Sequence, residues 1–184
     1  EVLDLALDRS ENALTENLVR QAAATAGRST TKGGDNAAFV VERLKAHGIP
    51  TEGLVLEDAS GLSPGQAASA ATLSGVLHLA ATDSPDQVPG LRDVIAGLPV
   101  SGVSGTMRGR FSSDATEDVV GVPRAKTGTL KAGSALAGTT VTADGRPLTF
   151  VVLVDEFPED FGGTLRARAA LDRIVAALTR CGCR

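Results

Sequence analysis

The chain has 184 residues, 42% hydrophobic and 22% charged, with a formal net charge of −4. That length and balance suit one ordinary globular domain and exclude a disordered chain. The acidic surplus gives no electrostatic reason to expect nucleic acid or an anionic membrane as partner, and no apolar run approaches the ~20 residues of a bilayer span.

The chain opens "EVLDL", with no Met and no signal-peptide pattern, which reads as the interior of a longer protein. A helix is predicted over 12–26, with Leu14, Leu18, Ala22 and Ala26 on one face and Gly27 as its stop. Ser10 and Asn12 stand just ahead of it, and Asn12 is a natural N-cap. A polar loop, "RSTTKGG", covers 28–34. Asp35 is expected to cap the next helix, with Ala37, Val41 and Leu44 as its apolar stripe and Gly48 at its end. A short strand at 54–56 runs into a Gly/Ser/Pro loop. A helix around 72–81 groups Leu73, Leu77 and Ala80, and a shorter one is expected over 90–98.

After Pro99 the pattern changes. "VSGVSGTMRGRF" is loop-rich. Strands follow at 119–127, 136–142 and 148–154, with the Asp-Gly of "TADGRP" as a turn between the last two. They would form an antiparallel meander. A closing helix over 165–179 turns Leu171, Ile174, Val175 and Leu178 inward. "LTFVVLV" is nearly continuous apolar sequence, as in a strand covered on both faces. As the last of three strands it would be a bare edge, so further strands are expected upstream of residue 1. The fold class is thus α+β: an antiparallel sheet flanked by helices and incomplete without those strands.

No metal-binding His pair, phosphate loop or dinucleotide fingerprint is present, and "GVSG" at 102–105 only approaches a nucleophile elbow. His47 and His78 fall in predicted helices and read as solvated positions. Cys181 and Cys183, in "TRCGCR", lack the further ligands a zinc site needs. They read as loose thiols, or as pairing with a cysteine in another part of a longer protein.

"RAKTGTL", residues 124–130, carries more chemistry. Lys126 and Thr127 present an ammonium and a hydroxyl that can grip a carboxylate. Gly128 lets a peptide backbone approach closely, and the N–H of Thr129 can aim at a developing oxyanion. Taken alone, the triplet also reads as a solvated lysine before a turn.

Ser-x-Asn ahead of a helix, followed more than a hundred residues later by Lys-Thr-Gly-Thr on a strand, resembles the second and third motifs of the penicillin-recognising serine acyl transferases. "RSENALTENLVR", "LEDASGLSPG", "LPVSGVSGTMRGRF" and "RAKTGTLKAGSALAGTTVTADGRPLTFVVLV" follow one another as in the class C low-molecular-mass penicillin-binding proteins, the D-alanyl-D-alanine carboxypeptidase/endopeptidases. The resemblance implies a serine β-lactamase/DD-peptidase-like fold, of which residues 1–184 are the C-terminal part. The Ser-x-x-Lys motif with the nucleophile is then expected upstream. The one Ser-x-x-Lys in the chain, Ser29 to Lys32, follows Ser-x-Asn instead of preceding it and lies in a loop, so it reads as a decoy.

The resemblance further implies peptidoglycan stem peptides as substrate, β-lactams as acylating inhibitors, the upstream segment as structural partner, an extracytoplasmic location, and neither metal nor organic cofactor. Ser10 would relay a proton to the departing amine, and Asn12 would hold the missing lysine and a stem-peptide amide. Lys126 would supply positive potential, Thr127 and Thr129 would bind the terminal carboxylate, and the N–H of Thr129 would serve the oxyanion. Two alternatives stay open: a serine β-lactamase or esterase of the same superfamily, and a non-catalytic cell-wall-binding domain without a nucleophile.

Overall fold

The computed structural model describes residues 1–32, 34–82, 90–131 and 133–182. It divides into two compact units, one of residues 1–10 with 77–184 and one of residues 11–76.

In the larger unit, β1 (Arg124–Thr129), β2 (Gly133–Val141) and β3 (Pro147–Asp155) form an antiparallel sheet in that order. This is the expected meander. β2 alternates strictly, with Ser134, Leu136, Gly138 and Thr140 turned inward, the period of a strand with one covered face. The helix α6 (Phe161–Arg180) lies against β2 and β3. The core gathers Met107, Phe111, Val119, Ala125, Leu136, Phe150, Leu171, Val175 and Ala176. The Asp-Gly turn forms as predicted, with Thr142 N–H bonded to Arg146 O at 2.9 Å and Gly145 N–H to Thr142 O at 2.9 Å. β3 pairs only with β2 among the described residues, and Leu153 is 42% exposed.

Two expectations about the elements of this unit are corrected. The strand predicted over 119–127 is a 3₁₀ turn at Glu117–Val119 followed by β1 from Arg124, because Pro123 has no N–H to give a ladder. Ile174 is 47% exposed: the buried arc of α6 is rotated toward Asp172 and Ala176. A helix absent from the expectations, α1 (Val2–Arg9), opens the unit and packs against α5 (Arg92–Ala96) and the turn at Gly105–Met107. Cys181 is disulfide-bonded, which removes the loose-thiol reading for that residue. Cys183 lies outside the described residues.

Between the body of the unit and α6 sits a buried ion pair. Arg110 Nη2 donates to Asp172 Oδ1 at 2.7 Å and Arg110 Nε to Oδ1 and Oδ2 at 3.0 and 3.1 Å. The Phe111 N–H donates to Asp172 Oδ2 at 3.2 Å. The loop after Met107 is thus fastened to α6 by fork-on-fork geometry.

In the smaller unit, α2 (Asn12–Thr25) packs on α3 (Asp35–Ala46). Glu16 ties it together: Asn36 Nδ2 donates to Glu16 Oε2 at 2.7 Å, while the N–H groups of Ala59 and Ser60 donate to Oε1 at 2.7 and 2.8 Å. Asp58 closes the "DASGLSPG" loop by accepting from the N–H groups of Gly61 and Ser63 and from Gln66 Nε2. Burial disfavours its charge, yet these bonds outweigh burial and hold the carboxyl well below the usual range. The strand predicted at 54–56 is a single bridge, Val55 to Ala67. Neither expected cap forms: the N-cap positions are Glu11 and Gly34, without side-chain bonds, and Asn12 and Asp35 are the first helical residues. The buried alanine of α2 is Ala23, not Ala22. The helix α4 spans Ala70–Thr82.

Candidate active site

β1 places its side chains by alternation. Ala125 is fully buried in the core, so Lys126 points to the opposite face. The strand lies close on β2: a Cβ at Gly138 would fall 1.9 Å from Arg124 O, so only glycine fits there. On the other edge, Ala125 N–H donates to Pro99 O at 3.0 Å. With period two, the N–H groups of Thr127 and Thr129 face that same outer edge, where no strand pairs with them among the described residues.

The end of α1 comes to this edge. A Cβ at Gly97 would lie 2.8 Å from Asp4 Oδ1, and one at Gly105, whose φ is +45°, would lie 2.1 Å from Asp8 O. These contacts seat α1 closely enough that Ser10, its C-cap, meets β1. Ser10 adopts a left-handed conformation (φ 57°, ψ 48°), with its N–H bonded to Ala6 O. A non-glycine residue held there stores strain of about 1–3 kcal/mol, a feature that concentrates at functional sites.

Lys126 Nζ donates to Ser10 Oγ at 2.6 Å and to Thr127 O at 2.9 Å. Thr127 Oγ1 donates to Thr106 Oγ1 at 2.9 Å. Both partners of the ammonium are neutral oxygens. Burial lowers the pKa of Lys126 from that of a free lysine. Because Ser10 Oγ accepts from the ammonium, its own proton is free to be donated. A hydroxyl so placed can pass a proton to a basic group on its far side while the ammonium stabilises the oxygen.

The structure therefore brings Ser10, Lys126, Thr127 and Thr106 together across 116 residues of sequence. Gly128 and Thr129 continue the strand, half-buried and exposed respectively. Asn12 is half-buried at the start of α2. Ser29 lies in an exposed loop, its hydroxyl bonded to Asp35 Oδ2 at 3.0 Å, which suits a loop-closing residue. Thr106 does not stand out in the sequence; its only signal is membership of the "GVSGTMRGRF" block.

The family model for the D-Ala-D-Ala carboxypeptidase 3 (S13) family matches residues 1–178. The chain is 36% identical over 178 residues to "Carboxypeptidase DacB" of Mycolicibacterium smegmatis, covering 96% of this chain and 36% of that protein. It is 38% identical over 135 residues to the D-alanyl-D-alanine carboxypeptidase of an Actinomadura species, covering 70% of this chain and 23% of that protein. Among solved structures, penicillin binding protein 4 (dacB) from Haemophilus influenzae superposes with a TM-score of 0.78 at 26% identity, covering 98% of this chain and 39% of that one. The same protein has been solved complexed with a β-lactam. The chain spans 36% of the length of the Mycolicibacterium smegmatis protein, 23% of the Actinomadura protein and 39% of the Haemophilus influenzae chain.

Proposed function

The chain belongs to the D-Ala-D-Ala carboxypeptidase 3 (S13) family of low-molecular-mass penicillin-binding proteins, and from that premise we propose that it supplies two of three motifs of a serine D-Ala-D-Ala peptidase. Its substrates are peptidoglycan stem peptides outside the cytoplasm. The nucleophilic serine and its lysine lie on sequence outside these 184 residues.

The observation that carries this reading is the 2.6 Å bond between Lys126 Nζ and Ser10 Oγ. The nucleophile attacks the carbonyl between the two D-alanines and forms an acyl-enzyme, which water hydrolyses. The lysine of the nucleophile's motif takes the nucleophile's proton; Ser10 gives its own proton to the departing amine and receives the lysine's in return, while the Lys126 ammonium stabilises the hydroxyl oxygen. Thr127 and Thr129 hydrogen-bond the terminal carboxylate. The outward N–H of Thr129 is one oxyanion donor, the N–H of the nucleophile the other. Gly128, whose added Cβ would sit 3.3 Å from the Ala135 Cβ, leaves the strand surface clear for the peptide. Asn12 holds the second lysine and a stem-peptide amide. β-Lactams enter the same path and stop at the acyl-enzyme.

In the full-length protein, Lys126→Ala is expected to slow β-lactam acylation by about a hundredfold or more, measured with a fluorescent penicillin. Labelling at the wild-type rate would refute the assignment. Capture of the β-lactam at Ser29 would show that the nucleophile had been misplaced.

A further inference from the structure

The acidic surplus of the chain is unevenly placed. The helix α6 carries Arg166, Arg168, Arg173 and Arg180 against a single acid, Asp172, and that acid is buried and already taken by Arg110. Arg166, Arg173 and Arg180 are exposed and stand seven residues apart. Seven residues make nearly two full turns, so the three guanidiniums form one row along the helix. Neighbours are roughly 10 Å apart and the row is about 21 Å long.

The outward arc around this row holds Ala169, Ala170 and Ala177 and no carboxylate. Arg166 and Arg173 pair with no acid among the described residues. Arg180 shares its charge with Asp118 in an exposed pair, which is weak enough to exchange for another anion. At the opposite end, Asp160 is engaged as the N-cap by the Gly163 N–H. The row faces away from the sheet, since Leu171, Val175 and Ala176 on the inner side of α6 join Ala125 in the core. Lys126 emerges on the other face of that sheet, so a ligand on the row leaves the reaction site open.

The side chains select the partner. Guanidinium forks match phosphate oxygens, and evenly spaced cations with small residues between them let a chain of phosphates lie along the helix and gain from each contact. A lipid surface would need large apolar side chains in the middle of the arc, whereas Ile174, 47% exposed, stands at its margin. We propose that the outward face of α6 is a docking row for a linear phosphate polymer, which retains the protein on that polymer while the peptide site stays free. The inference is independent of the reaction assigned to Ser10 and Lys126.

The test uses the full-length protein and inorganic polyphosphate, with binding followed by calorimetry over a salt series. Chains long enough to span the row are expected to bind, and triphosphate to bind far more weakly. Arg166→Gln with Arg173→Gln should weaken binding tenfold or more and flatten the slope of log affinity against log salt by about 1.4, roughly 0.7 for each contact removed. Arg166→Lys with Arg173→Lys keeps the charges and should keep most of the affinity. Arg108→Gln removes an exposed arginine outside α6 and should change nothing. Unaltered melting temperatures show that the variants are folded. Absent binding, an equal loss in Arg108→Gln, or triphosphate bound as tightly as the long chain overturns the proposal. Binding to phosphatidylglycerol vesicles but not to polyphosphate assigns the row to a lipid surface and overturns it too. Slower β-lactam acylation with polyphosphate bound would place the polymer at Lys126 instead, against the proposal.

Discussion

Arg110 and Lys126 are two cations of the same unit, each brought to a partner far away in sequence, and they are satisfied in different ways. Arg110 is 3% exposed and meets a carboxylate through three hydrogen bonds, with Arg168 O taking a fourth at 3.2 Å. Its charge is neutralised and its donors are largely used. Lys126 is half-buried and meets only a hydroxyl and a carbonyl. Its charge is solvated by dipoles and left unneutralised, and burial has already made it costly. The contrast separates a fastening from a working group. A cation that has a carboxylate has nothing left for a ligand, whereas one held by neutral oxygens keeps its field for an incoming anion.

The comparison can be broken most forcefully at Asp172. Asp172→Ala leaves the Arg110 guanidinium buried without a counter-charge and is expected to destabilise the protein by about 3–5 kcal/mol, read as a fall in denaturant midpoint. Replacing both partners by apolar residues, Arg110→Met with Asp172→Leu, should recover most of that loss, because it removes the uncompensated charge along with the bond. A double variant as unstable as the single one would mean that the geometry of the pair, and not its charge balance, holds α6.

Ser10→Gly should act in the opposite sense. Glycine reaches φ 57° without the Cβ penalty, so stability should rise by about 1 kcal/mol, while acylation falls because the hydroxyl is gone. A loss of stability would show that the Lys126–Ser10 bond outweighs the backbone strain.

The smallest effect is a pH dependence. The pKa of Lys126 is lowered in the folded state, so the folded chain releases this proton at a lower pH than the unfolded chain. Between the folded value and the ordinary lysine value of about 10.4, the unfolded state holds more protons and stability rises with pH. Below that window the burial penalty is fully present. Lys126→Met should lose this rise and show no loss of stability at neutral pH, a difference visible in parallel alkaline denaturation curves.

The long regular elements were legible from the sequence because their signals are local. α2 begins at Asn12 as the apolar spacing predicted and ends one residue sooner than expected, β2 shows the alternation of a strand with one covered face, and β3 follows from a nearly continuous apolar run after one Asp-Gly turn. α1 was not legible. It has eight residues, and although Leu3, Ala6 and Leu7 share its packed face, two turns are too short a run for apolar spacing to distinguish. Its position comes from contacts of Asp4 and Asp8 with distant glycines. The Arg110–Asp172 pair spans 62 residues and leaves no periodic trace. The Ser10–Lys126 pair was legible only because two short motifs stood in a recognisable order of surrounding blocks. Spacing alone gave no reason to join them.

The open side of β3 bears on handling the protein in solution. From Leu148 to Val154 that strand carries no charged residue, so only Pro147 at its start and Asp155 at its end guard it against backbone zipping with a second copy. Wherever this flank stays uncovered, edge-to-edge association is the hazard that grows with concentration.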